Sequence, residues 1–346
     1  MKKYFLILLL VAGFVKINAQ SNSEKQPYLV KSLAGEAIKN IKLETTGGNI
    51  TVVGSSSDNR LEVFINPNNS RESSMSKEEI KKRLEEEYEL DINVSNNKLT
   101  AKARSKHRDL DWKKALNISF KAYVTSNVST DLSTSGGNIT LKDLSGDQDF
   151  STSGGNLNID NLSGKIKGRT SGGNMKVMHS RDDINLSTSG GNIDADDLNG
   201  NIRLSTSGGS VSLNDLKGTI YAITSGGNVH GKEIKGELVA TTSGGSIHLK
   251  SIAGSLETST SGGNIDVTIT EIGKFIKINN SAGNVDVEMP GNIGMDLKLY
   301  ANQIKTDDLK NFSGNKNDDE ITGKLNGGGT PVTINAGSGR INISFK

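Results

Sequence analysis

The 346-residue chain contains no cysteine, only four prolines and a single tryptophan, and aromatic side chains make up just 4% of it. Without thiols there are no disulfides, no thiolate nucleophile and no cysteine-ligated metal. Apolar residues reach 33%, with less Phe, Leu and Trp than a conventional globular core of this size uses. Charge of one sign is missing too. The 41 basic and 39 acidic side chains are well mixed and sum to +2, so no block offers a nucleic-acid footprint or an acidic tail. The apolar run Phe5 to Phe14 falls short of the roughly 20 residues that a spanning helix needs.

That run reads as the centre of a secretory signal. Lys2 and Lys3 precede it, and Ile17-Asn18-Ala19 supplies a cleavage site before Gln20. The expectation is an exported protein with a signal peptide over 1–19 and no integral membrane span once it is removed. No cysteine follows the signal, so a lipid anchor is not expected. The periplasm, the outer surface and the medium all remain open as destinations.

Glycine is what the sequence has in excess, 40 residues, and it is periodic. Unstructured Gly/Ser chains lack such order. The motif Thr-Ser-Gly-Gly-Asn/Ser recurs with its first glycine at 136, 154, 172, 190, 208, 226, 244 and 262, a period of 18 residues without drift. A degenerate copy, Ser281-Ala282-Gly283-Asn284, follows a two-residue insertion, and an early outlier is Thr46-Gly47-Gly48-Asn49. In register, apolar columns emerge: Ile139, Leu157, Met175, Ile193, Val211 and their successors, then Leu141, Ile159 and Val177, then Leu144 and Leu162, then Ile166 and Ile184. Asp, Lys, Asn, Ser and Thr lie between. Short alternating runs separated by Leu-x-Gly are strand and turn signals.

An 18-residue unit of this kind cannot bury its apolar face alone and must stack on its neighbours. A propeller blade needs about 40–45 residues, and a leucine-rich horseshoe has a different leucine spacing. The expected fold is therefore all-β: a single-chain parallel β-helix with one coil per repeat, right-handed as parallel crossovers are. The Gly-Gly-Asn corners are expected to need positive φ, which Gly adopts freely and Asn tolerates, and Asn side chains to bond along the stack. Thr134, Thr152 and their successors are expected inside, as a hydroxyl ladder.

The flanks break the pattern. Residues 20–34 read as a flexible lead-in and 35–132 as an N-terminal β segment. Within it a capping helix over 76–88 opens on the Ser76/Glu79 box, followed by strands near 90–95 and 98–103. Ser105 to Lys114 is a charged loop holding Trp112. Regular coils are expected over 133–303, then a polar loop at 304–320 within a closing segment 304–346. Helix and loop are expected to cap the open N-terminal edge.

The layout resembles a family of exported bacterial proteins classed as a domain of unknown function and labelled putative adhesins. The resemblance rests on Thr46-Gly47-Gly48-Asn49-Ile50, the EEIKKRLEEEYEL helix at 78–90, the strand pair ending in Ala101-Lys102-Ala103-Arg104, and the STSGGNI coils with their Asp/Asn-Leu-x-Gly turns. It covers most of 35–345. Where that family often carries a proline before the first regular coil, this chain has Val124-Thr125-Ser126-Asn127. The resemblance implies a β-helix and an adhesive role.

No residue is assigned as catalytic, cofactor-binding or metal-ligating, and no enzyme is expected. Two outward groups stand out. His230 and His248 are one period apart, with Asp266 one coil further, but three ligands in a row suit tetrahedral metal poorly. Asp160, Asp194, Asp196, Asp197 and Asp215 form an oxygen-rich group that leaves calcium open, although the motif lacks the calcium nonapeptide's period. The leading functional reading is a surface interaction module, an adhesin binding a cell-surface glycan or matrix component. An envelope scaffold binding another envelope protein comes second, and a carbohydrate-active enzyme third.

Overall fold

The computed structural model describes residues 26–55, 58–68, 75–107 and 115–346. The expected signal segment, its expected cleavage site and Trp112 lie outside the described residues.

Alternating side chains over short runs leave each coil with one apolar and one polar side. In Ile193–Thr206, the side chains of Ile193, Ala195, Leu198, Ile202, Leu204 and Thr206 point inward and are buried. The strand pairs in parallel with Met175–Thr188 before it and Val211–Ile223 after it, each residue opposite its equivalent 18 positions away. Coils therefore stack about 4.8 Å apart and the inward columns fuse into one core running the length of the stack. Each fully buried Leu, Ile or Val contributes about 1.5–3 kcal/mol, available only when a neighbouring coil covers it. The β-helix expected from the repeat is the observed architecture.

Three corners turn each coil. Asp143, Asn161, His179, Asp197, Asp215, Glu233 and Ser251 hold one of them at φ between 47° and 58°. A second falls on the glycine of Leu-x-Gly, for example Gly200 at φ 133°. Left-handed backbone therefore belongs to these two columns. The Gly-Gly corner, expected to need positive φ, does not have it, and its requirement is space. A Cβ on the second glycine of each pair, such as Gly191, would sit inside the van der Waals radius of the carbonyl oxygen of Gly173 in the coil below. On the first glycine, Gly190, the nearest atom would lie 3.6 Å away.

Two hydrogen-bond chains stitch this corner along the stack. Thr206 Oγ1 accepts from Gly209 N–H at 3.2 Å and donates to Gly191 O at 2.8 Å, and the same pair of bonds recurs from Thr134 to Thr260. In the degenerate coil Asn280 takes over: its Nδ2 donates to Gly263 O at 2.8 Å and its Oδ1 accepts from Gly283 N–H at 3.0 Å. The expected hydroxyl ladder is thus present and fully bonded. Beside it, each Asn Oδ1 accepts from the backbone N–H of the next coil, as Asn174 does from Asn192 at 2.8 Å. Ser210 and Ser246 continue that chain with a hydroxyl.

Both ends depart from sequence order. The strands Asn40–Thr45 and Ile50–Gly54 insert between the regular coils and the later strands Lys98–Ser105 and Leu116–Val124. At the other end, Thr330–Asn335 and Arg340–Phe345 insert between Ile265–Asn280 and Val285–Met289 on one side and the earlier strands Met295–Tyr300 and Gln303–Thr306 on the other. Antiparallel strands then close the stack, Tyr88–Ser95 and Leu29–Ser32 at the N-terminal end and Phe312–Lys316 beyond Glu320–Leu325 at the other. The helix Lys77–Glu87 is capped by Ser76, which accepts from Glu79 N–H at 3.2 Å. Its Ile80 and Leu84 pack on the core beside the N-terminal strands.

Two boundary expectations need correction. The lead-in 20–34 contains the strand Leu29–Ser32, because backbone pairing to Arg60–Pro67 holds it despite exposed Leu29 and Val30. The polar loop 304–320 contains Phe312–Lys316, a hairpin partner whose exposed side chains leave no apolar alternation to read.

The corner geometry yields a paired test. Gly191→Ala forces a backbone shift and should lower stability by more than about 3 kcal/mol, whereas Gly190→Ala should stay within about 1 kcal/mol. Urea unfolding followed by circular dichroism separates the two, and equal midpoints would refute the packing account.

Candidate binding groove

The run after each Gly-Gly-Asn corner points two side chains outward, separated by one inward residue. Stacked in register, these positions make two parallel ladders on one side of the molecule. One carries Lys176, Asp194, Ser212, His230, His248, Asp266 and Asp286; the other carries Met178, Asp196, Asn214, Lys232, Lys250, Thr268 and Glu288. Between them runs a groove floored by Ala195, Leu213, Gly231, Leu249 and Val267. It comprises a hollow of about 520 Å³ from Lys176 to Lys250 and one of about 720 Å³ from His248 to the Lys305–Asp307 wall, which meet at His248 and Lys250.

The same side extends toward the N-terminal end, since Thr51 pairs with both Thr140 and Lys121. There a hollow of about 470 Å³ is lined by Arg60, Glu62, Phe64, Lys121 and Tyr123. The Arg60 guanidinium lies 4.0 Å over the Tyr123 ring and its Nε donates to Glu62 at 2.7 Å. This aromatic and cationic corner was not legible beforehand, because its residues come from strands 60 positions apart with no repeat to align them.

The five aspartates are not brought together. Asp194 stands on the first ladder, Asp160 and Asp196 on the second with Met178 between them, and Asp197 and Asp215 at the corner column. Asp160 is bonded to His179 Nδ1 at 2.8 Å and Lys142 at 3.2 Å, Asp196 accepts from Asn214, and Asp215 pairs with Lys217 at 3.4 Å. Among the described residues no three His, Asp or Glu side chains converge to hold a metal ion. Calcium at this group has no geometry to support it.

His230, His248 and Asp266 are adjacent as their spacing implies. The imidazoles stack with centroids 5.3 Å apart and planes 9° from parallel, and His248 Nδ1 lies 2.7 Å from Asp266 Oδ2. Burial and the neighbouring imidazole both disfavour the cation at His230 and push its pKa down. At His179 the bond to Asp160 pulls the other way and raises it, while the same bond holds the Asp160 carboxyl below its ordinary value.

The Toastrack DUF4097 family model matches residues 89–344. The chain belongs to the Toastrack DUF4097 family. No curated protein matches it. Among solved structures, a putative cell adhesion protein from Clostridium sporogenes is 14% identical, covers 92% of this chain and 98% of its own, and has a TM-score of 0.20. A putative adhesin from Parabacteroides merdae is 14% identical over 75% of this chain and 95% of its own, at a TM-score of 0.33. One from Bacteroides fragilis is 11% identical over 91% and 96%, at 0.25. Membership of the Toastrack family rests on the family model. Among the described residues no helix is long and apolar enough to cross a membrane.

The His179–Asp160 pair gives a pH test with a defined sign. The raised imidazole stabilises the fold fully below the ordinary His value of about 6.5 and loses that contribution as pH rises through its folded pKa. The depressed carboxyl contributes above its ordinary value and loses it as pH falls through its folded pKa. In an NMR titration His179 should titrate above and His230 below the ordinary value, with Asp160→Asn lowering His179. Coincident midpoints for the two imidazoles would contradict the assignment.

Proposed function

We propose that this Toastrack protein is an exported interaction module that holds an extended polar ligand, a cell-surface glycan or matrix component, along the ladder groove. The observation that carries this reading is the groove itself, a continuous channel between two outward ladders on a scaffold whose coils are locked in register. A stack fixed by inter-coil hydrogen bonds presents such side chains preorganised, which reduces the ordering cost of binding. The lining mixes Lys, His, Asp, Asn and Ser, which suits hydroxyl-rich or charged ligands.

The groove favours binding over chemistry. Ser212, His230, His248 and Asp266 follow one another on a single ladder, yet the two imidazoles meet face to face and share no in-plane hydrogen bond. No proton relay reaches the serine hydroxyl, so the nucleophile–base–acid pattern is unmet. The adhesin reading also agrees with how the Clostridium and Bacteroides-group structures are described. An envelope scaffold would use the same groove for a protein partner.

Blocking the groove tests the proposal. Ser212→Trp and Asn214→Trp place bulk on the outward ladders without touching the core, and Thr219→Trp does so on another side. Retention of cell-surface glycans or matrix components should fall at least about tenfold (about 1.4 kcal/mol) for the first two and stay unchanged for the third. Retention of nothing by the parent protein, or equal retention by all variants, would overturn it. Protease cleavage on intact cells distinguishes a surface ligand from a periplasmic partner, which would be protected until lysis.

A further inference from the structure

Where the two hollows meet, consecutive coils place the same pair of residue types on the two ladders. His230 stands opposite Lys232 across Gly231, His248 stands opposite Lys250 across Leu249, and the register sets His230 beside His248 and Lys232 beside Lys250. The result is a square of four nitrogen-bearing side chains around the floor of the groove; all four line the smaller hollow, and His248 and Lys250 line the larger one as well.

This square departs from the ladders around it. Earlier on these two ladders each lysine is followed by an acid, Lys142 by Asp160 and Lys176 by Asp194, so charges offset there. Lys232 and Lys250 instead stand one coil apart with nothing between them. Among the described residues Lys250 has no ion-pair partner, and Lys232 pairs only with its exposed chain neighbour Glu233 at 2.9 Å. His230 makes only its ring stack. Like charges spaced at about 4.8 Å repel, and a multivalent or oxygen-rich anion between them relieves that repulsion.

We propose that His230, Lys232, His248 and Lys250 form a binding site for the anionic groups of an acidic linear polysaccharide, carboxylate or sulfate. The site deepens the groove reading and rests on it. A linear polymer is favoured because the groove runs along the stack on both sides of the square, with hydroxyl and amide side chains, Ser212, Asn214 and Thr268, on the flanking coils. Binding strengthens as pH falls, because a proton taken up at His230 adds positive charge to the square. The other charged groups around the square are Asp266 on the following strand, bonded to His248, then Asp286, Glu288, Lys305 and Asp307 beyond it, Glu233 at the corner column, and Asp194 and Asp196 two coils back. Apart from Glu233, these carboxylates line the groove on either side of the square and offset part of its charge, so the anionic groups are held at the square itself. In the free protein burial and the neighbouring ring hold His230 toward the neutral form, so anion binding takes up a proton there.

The test uses the full mature chain with heparin, polygalacturonate and neutral dextran as probes, at pH 7.5 and 5.5. Binding to heparin, polygalacturonate or both should be on the order of tenfold tighter at the lower pH, because each proton taken up on binding changes affinity by up to about a decade per pH interval of one. Dextran should not bind. Heparin alone would assign sulfate, polygalacturonate alone carboxylate. Lys232→Ala/Lys250→Ala should weaken binding about tenfold or more at both pH values. His230→Gln/His248→Gln should keep the affinity at pH 7.5 and lose the gain at 5.5. Lys165→Ala/Lys167→Ala, on another side, should behave as the parent. All six positions face outward, and circular dichroism checks that each variant is folded. No binding of either acidic polymer at pH 5.5, or a histidine variant that keeps the pH gain, overturns the proposal. If the parent then still holds another surface component, and Ser212→Trp abolishes it, the groove reading stands and only the anion assignment fails.

Discussion

The bond from a buried threonine hydroxyl to the corner carbonyl of the preceding coil is the constraint from which the other features follow. In each repeat this hydroxyl satisfies the N–H of its own second corner glycine and the C=O of the one below. An unpaired buried carbonyl or amide would cost about 1–3 kcal/mol, so the corner is stable only when two coils are stacked in one register. The close approach that makes this bond possible is what excludes a side chain from the second glycine. Register in turn aligns the apolar columns into a core and the outward positions into ladders. The groove is a consequence of the same spacing.

Much of this was legible in the sequence because a repeat turns one-dimensional spacing into three-dimensional adjacency. A residue and its equivalent 18 positions on are neighbours, so the threonine ladder, the asparagine chain and the His230–His248 stack could each be inferred without coordinates. The conformational reason for the Gly-Gly corner could not. A glycine needed for left-handed backbone and one needed for close approach look identical in a sequence, and here Gly200 is the first kind and Gly191 the second. Similarly, Asp196 and Asp197 are chain neighbours but stand on different columns, because the left-handed residue at 197 turns the chain between them. Counting acidic residues therefore overstated their convergence.

The ends were least legible, since their order in the stack differs from their order in the chain. Early strands at 40–54 lie inside strands that come later, and the closing strands at 330–345 lie inside strands that come earlier. No period marks such insertion. Its physical effect is that each terminal coil has a neighbour on both sides, whereas a terminal coil at the end of the stack would expose half its core. Outermost positions pass to antiparallel hairpins and to the helix Lys77–Glu87, which limit further parallel pairing.

The central claim is that in-register stacking of 18-residue coils determines the fold. It is tested most directly by deleting residues 175–192, one whole coil, and comparing the product with a half-coil deletion of 175–183. The whole-coil variant rejoins Asn174 to Ile193 with every column intact, and it should keep the parent's β-rich circular dichroism and unfold cooperatively in urea. The half-coil variant places a corner against the middle of a side and should lose both. If the two deletions were tolerated equally, or if removal of the whole coil alone abolished folding, the account would be contradicted.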